Sequence, residues 1–226
     1  MTSVAEKQES GTQLVRLTRL PSGAARLTLT RSERRNAVNR PMADQLSAAV
    51  AQIGQWGIQV GIIDAEGPAF CAGADLGDLV ESGTALDDVL ATLTAVPVYW
   101  TAMVDGAVRG GGLSILAVCP YVIATSVSTF GLPEISRGFF PADVIDGQVP
   151  IIGARRAFDL AFRGRPVDAA QALAMGIVSE VVIAADELET RAEETAVELL
   201  AVDPGALRQG VELWQARAST LRPTTA

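Results

Sequence analysis

Twice along the chain an apolar, strand-like run is followed within a few residues by a glycine-containing junction. IQVGIID (58–64) leads to AFCAGADL (69–76), and the run near 98–104 leads to GAVRGGGL (106–113). The second junction holds three consecutive glycines, Gly110 to Gly112, directly before the apolar run LSILAV. Each glycine inside an element costs roughly 0.5–1 kcal/mol relative to alanine, so three together imply positive φ or a close backbone approach. A tight turn is one reading. The other is a strand-to-helix junction whose bare N–H groups point at a ligand, and two such groups converging on one oxygen make an oxyanion hole. Neither junction is G-x-G-x-x-G or G-x-x-x-x-G-K-[ST], which excludes the dinucleotide and P-loop fingerprints.

The elements around the junctions alternate. Residues 13–30 read as a β-hairpin turning at Pro21-Ser22-Gly23. Met42, Leu46, Ala49, Val50 and Ile53 fall at helical spacing over 42–56, with Pro41 placed to open the helix. A strand at 58–64, a helix near 84–96, a strand near 98–104, a helix at about 111–118 and a strand at 121–125 follow. The carboxyl third predicts helices over 153–163, 168–175, 186–201 and 204–218. This order predicts an α/β architecture, with a disordered polar tail at 1–12, a core at 13–185 and a helical region at 186–226.

Composition narrows the chemistry. At 226 residues and 49% apolar content the chain suits one domain with a sizeable core. Mean hydropathy is +0.28, but the uncharged runs 89–104 and 110–133 are broken by proline and glycine and read as core rather than membrane spans. The polar amino end shows no secretory pattern, so the expected location is the cytoplasm. A net charge of −8 argues against a nucleic-acid surface. Cys71 and Cys119 have neither disulfide nor metal-ligand spacing and read as core residues. There is no histidine, which removes Ser-His-Asp and Cys-His arrangements and the commonest zinc sites. The only lysine is Lys7, so acid–base work falls to carboxylates or tyrosine.

RRNAV (34–38), FCAGADL (70–76), GAVRGGG (106–112), and FGLPEISRGFFP (130–141) with GRPVDAAQALAMGIVSEVV (164–182) behind it, in this order, resemble the crotonase superfamily, the enoyl-CoA hydratase/isomerase family. The resemblance implies a spiral of ββα units with a helical carboxyl-terminal region, assembled as homotrimers or homohexamers. It also implies an acyl-CoA or acyl-carrier thioester as substrate, with coenzyme A part of that substrate and no separate cofactor or metal. By residue match, the N–H groups of Ala74 and Gly111 hold the thioester oxygen and Glu134 moves the proton. Arg34, Arg35 and Ala37, then Ala72, Asp75 and Leu76, and Gly110 line the thioester and its coenzyme A. Arg31 is a further candidate for the phosphates, although the same arginines also read as an exposed basic cluster.

The departures matter as much as the matches. Family hydratases carry a second glutamate two residues after the glycine run; here Ser114 stands there, able to orient a water but not to act as a second base. Asp143 is the candidate to replace that carboxylate in space, or else a helix-cap or loop charge. Arg109 and Pro120 are atypical, PVYWTAMVDG departs from the usual spacing, and the chain ends soon after Trp214, where the family continues through another helix. A lone Glu134 favours double-bond isomerisation. Hydration, thioester decarboxylation and a non-catalytic subunit are the alternatives.

Overall fold

The computed structural model describes residues 12–219 except 76 and 78. Leu76, the segment 220–226 and all but Thr12 of the polar tail expected at 1–12 therefore lie outside the described residues. Strands β1 (Val15–Arg19) and β2 (Ala25–Leu29) form the expected antiparallel hairpin, in register from Val15 opposite Leu29 to Arg19 opposite Ala25. Gly23 takes the left-handed conformation at its turn, φ 97°. Helix α1 (Arg40–Gln55) starts where Asn39 accepts a hydrogen bond from the Met42 N–H, with Pro41 in its first turn. It buries Met42, Leu46, Val50 and Ile53 along the stripe that the spacing predicts.

From there the chain repeats one unit. Strands β3 (Val60–Ala65), β5 (Tyr99–Val104) and β7 (Tyr121–Thr125) run parallel in a six-stranded sheet of order β1-β2-β3-β5-β7-β10, closed by β10 (Glu180–Val182). Each is followed by a three-residue strand, β4 (Ala69–Cys71), β6 (Ala107–Arg109) or β8 (Thr129–Gly131). These build a second sheet, β4-β6-β8-β9, completed by β9 (Val167–Asp168). A helix then closes each unit: α2 (Leu79–Ala95), α3 (Gly112–Val118) and α4 (Ala142–Ile152). The result is the expected spiral of ββα units. Each turn delivers one strand to each sheet and one loop to the same end of the small sheet.

The large sheet is covered on both faces, which is why its strands read as continuous apolar runs. Ile63, Trp100 and Val104 join the main core with α1, α2 and α3, whereas Val60, Ile62, Met103 and Ile123 meet Leu188, Ala192 and Ala196 of α7 (Ala185–Leu200) and Leu207 and Val211 of α8 (Pro204–Ser219). Helices α5 (Ala154–Arg163) and α6 (Ala169–Met175) lie between α4 and β10. The sequence reading had no place for α4, whose Gly147 and Pro150 are breakers by propensity. It also had none for the strands of the small sheet, which are too short to show a period. Helix α2 begins at Leu79, earlier than the expected 84. Among the described residues no helix is long and apolar enough to cross a membrane.

Candidate active site

Two adjacent strands of the small sheet, β4 and β6, run parallel and end at the two glycine junctions. Beyond β4, the loop 72–75 pairs with the segment 35–38. Val38 N–H donates to Gly73 O (2.8 Å), Asp75 N–H to Val38 O (2.9 Å) and Ala72 N–H to Arg35 O (3.0 Å). Val38 and Ala74 thereby form a parallel bridge. In such a bridge the flanking residues supply the bonds, so Ala74 keeps its own N–H out of the ladder. Beyond β6, Gly110 N–H is committed to Gly131 O (3.0 Å), and Gly111 is the N-cap of α3. The N–H groups that open a helix have no intrahelical partner. The two loops touch: a β-carbon on Gly73, φ 88°, would stand 2.8 Å from Gly111 N.

Each of the three consecutive glycines has its own reason. Gly110 is left-handed, φ 53°, and a β-carbon there would stand 2.5 Å from Glu134 Oε1. One on Gly111 would meet Leu86 Cδ2 at 2.2 Å, and one on Gly112 would meet Cys71 O at 2.5 Å. The run is neither a simple turn nor redundant: it lets a carboxylate, a leucine methyl and a neighbouring backbone approach three successive α-carbons.

Glu134 lies in a 3-10 turn over Pro133–Arg137, just past β8, and is 7% exposed. Its Oε2 is buried without a hydrogen-bond partner in the structure. Burial pushes its carboxyl above the ordinary range, while its own backbone N–H and the Arg137 charge oppose that rise. An acid held up in this way is poised to exchange protons nearer neutrality. Ser114, three residues after Gly111 and so on the same face of α3, is 7% exposed. Asp143 is exposed in the first turn of α4, the surface position that the alternative reading gave it.

Two supports escaped the sequence reading. Arg35 and Asn36 take consecutive left-handed conformations, φ 54° and 53°, and Asn36 is fully buried. Its Nδ2 donates to Glu66 O (2.9 Å) and Ala69 O (2.8 Å), pinning this corner to β4. Cys71, read only as a core residue, donates its S–H to Asn36 O (3.2 Å) and accepts from Gly73 N–H (3.4 Å). Burial pushes its thiol up to about 12, so it stays protonated as the donor of that bond.

Of the arginines, Arg34 and Arg35 are exposed beside buried Ala37. Arg31 differs from the expectation: its guanidinium bonds Asp75 Oδ2 (2.6 Å) and Ala37 O (2.8 Å). Asp75 also accepts from Gly77 N–H (3.0 Å), and that bond, followed by Arg31, holds its carboxyl below the usual range. The pair therefore ties the 31–38 segment to the 72–75 loop. Arg109 turns its guanidinium to Val108 O, Thr129 O and Thr129 Oγ1.

The chain and its fold have known relatives. The family profile for enoyl-CoA hydratase/isomerase matches residues 19–225. The chain is 32% identical over 206 residues to the enoyl-CoA isomerase/hydratase fer4 of Mycosarcoma maydis, covering 83% of this chain and 75% of that protein. It is 32% identical over 200 residues to the mevalonyl-coenzyme A hydratase sidH of Aspergillus fumigatus, covering 82% and 72%. Among solved structures, AtuE of Pseudomonas aeruginosa superposes with a TM-score of 0.83 at 31% identity, over 90% of this chain and 83% of that one. Sequence and fold agree: the chain belongs to the enoyl-CoA hydratase/isomerase family.

Proposed function

We propose that the protein shifts the double bond of an acyl-CoA, converting a 3-enoyl thioester to its 2-enoyl isomer with Glu134 as the sole proton carrier. The observation that carries this reading is the pairing of one buried, partly unpartnered carboxylate over Gly110 with a hydroxyl, Ser114, one turn along α3. Glu134 takes a proton from C2. The electron pair moves into the thioester carbonyl, and the resulting enolate oxygen lies between the N–H groups of Ala74 and Gly111. Return of that proton at C4 forms the C2=C3 bond and restores the carbonyl, so atoms and charge balance without water. Arg34 and Arg35, exposed beside Ala37, face the phosphates of coenzyme A.

Hydration needs a second group to hold and activate water, and Ser114 is a weak base at any ordinary pH. On one preparation, a 3-enoyl-CoA is expected to isomerise faster than a 2-enoyl-CoA is hydrated. Hydration faster by tenfold or more contradicts the reading and calls for a second acid, which loss of that activity in Asp143→Asn identifies.

The raised Glu134 carboxyl also sets a pH dependence. Glu134 works ionised, so kcat/KM falls as pH drops through its folded-state value, and that limb lies above the ordinary glutamate value of 4.5. A pH profile with its acid limb at or below 4.5 removes Glu134 from the base role.

A further inference from the structure

The glycine run leaves a strip of backbone with a different side chain over each of its first two residues. The carboxylate of Glu134 lies over Gly110 and the Cδ2 methyl of Leu86 over Gly111. Leu86 comes from α2, whose fully buried stripe is Ala85, Val89 and Leu93 at i, i+4 and i+8. Leu86 stands one step around the helix from that stripe and is only partly buried against the core. Besides packing on the core, it holds a branched hydrocarbon against the backbone of Gly111, where an alanine would leave space.

We propose that Leu86 is the specificity-determining wall of this site and that it selects acyl thioesters unbranched at C2. The inference rests on the reading that the thioester oxygen sits at Gly111. With the oxygen there, C2 is two bonds away and lies within reach of both side chains. One substituent of C2, the proton to be moved, points at Glu134. A methyl in place of the remaining hydrogen enters the space that the Leu86 methyl fills. Gly73, whose Cα would be 3.5 Å from a β-carbon on Gly111, closes the adjacent direction with rigid backbone. The leucine is thus the adjustable wall. One methyl against a packed apolar wall changes selectivity by roughly 10- to 200-fold.

The test uses butanoyl-CoA and 2-methylpropanoyl-CoA, which differ in C2 branching and have no double bond to move, with coenzyme A itself as the reference ligand. The wild type is expected to bind butanoyl-CoA about tenfold or more tightly than 2-methylpropanoyl-CoA. Leu86→Ala is expected to bring that ratio to about threefold or less by gaining affinity for the branched ligand, with coenzyme A bound as before. Leu86→Val, which keeps most of the packing on α2, is expected to fall between. A wild-type ratio near one, or a ratio unchanged in both variants, overturns the assignment of Leu86. Failure of the wild type to bind either thioester more tightly than coenzyme A overturns the underlying reading of the site instead.

Discussion

Replacing Glu134 by glutamine is expected to lower kcat for the enoyl thioester by at least about 10³-fold while leaving acyl-CoA affinity within a few-fold of wild type. The glutamine keeps the shape of a side chain that is 7% exposed and seated over Gly110, but it carries no exchangeable carboxyl. The chain has no histidine and its only lysine is Lys7, and of the other candidate carboxylates Asp75 is bonded to Arg31 and Gly77 N–H while Asp143 lies exposed on α4, so none of these stands ready to substitute. The effect should therefore appear in kcat rather than KM. Turnover and binding measured on the same folded variant check it, and near-normal turnover contradicts the role. The substitution also removes a titration from the fold. Glu134 has its folded-state value raised by burial, so its contribution to stability is present below its unfolded value and is lost as pH rises through the folded one. Wild type should lose that increment on the way to neutrality, and Glu134→Gln should not.

The second large effect is expected at Gly111. Its φ is −57°, within the range that proline adopts, so Gly111→Pro removes the N–H donor at a φ the ring accepts. Loss of one oxyanion donor typically costs about 10²–10³ in kcat, or roughly 3–4 kcal/mol of barrier. Gly111→Ala is the control. It keeps the donor and presses only on Leu86 Cδ2, the far end of a flexible side chain, so its loss should be much smaller. Equal losses in the two variants point to crowding by Leu86, and an unchanged rate in the proline variant removes Gly111 from the hole.

The hairpin and α1 were legible because each is long enough to show its period and is bounded by a residue with a local reason, Gly23 at a left-handed turn and Pro41 in the first turn of the helix, and the long parallel strands because burial on both faces makes each a continuous apolar run. The glycine junctions were legible as junctions, but the reason for each glycine was not. It lies in contacts from Glu134, Leu86 and Cys71, which approach from other turns of the spiral. The same distance hid Asn36, whose partner Ala69 is 33 positions away, and the Arg31–Asp75 pair, 44 positions apart. Spacing along a chain tells which face a residue occupies but not what comes to meet it from elsewhere. Asp143 illustrates this limit. The glutamate missing at Ser114 made it a candidate to replace that carboxylate in space, and the start of α4 places it on the exposed side, as the helix-cap or loop alternative had it.

In the proposed site Ala74 and Gly111 hold one oxygen while Glu134 alone reaches the carbon beside it. The measurement that addresses it most directly is the structure of Glu134→Gln with a 3-enoyl-CoA bound. The thioester oxygen is expected about 2.7–3.1 Å from both backbone nitrogens, with the residue 134 amide over C2 and C4 and no other carboxylate within hydrogen-bond reach of C2 to C4. A thioester oxygen bound away from either nitrogen, or the Asp143 carboxylate found beside C3, contradicts it.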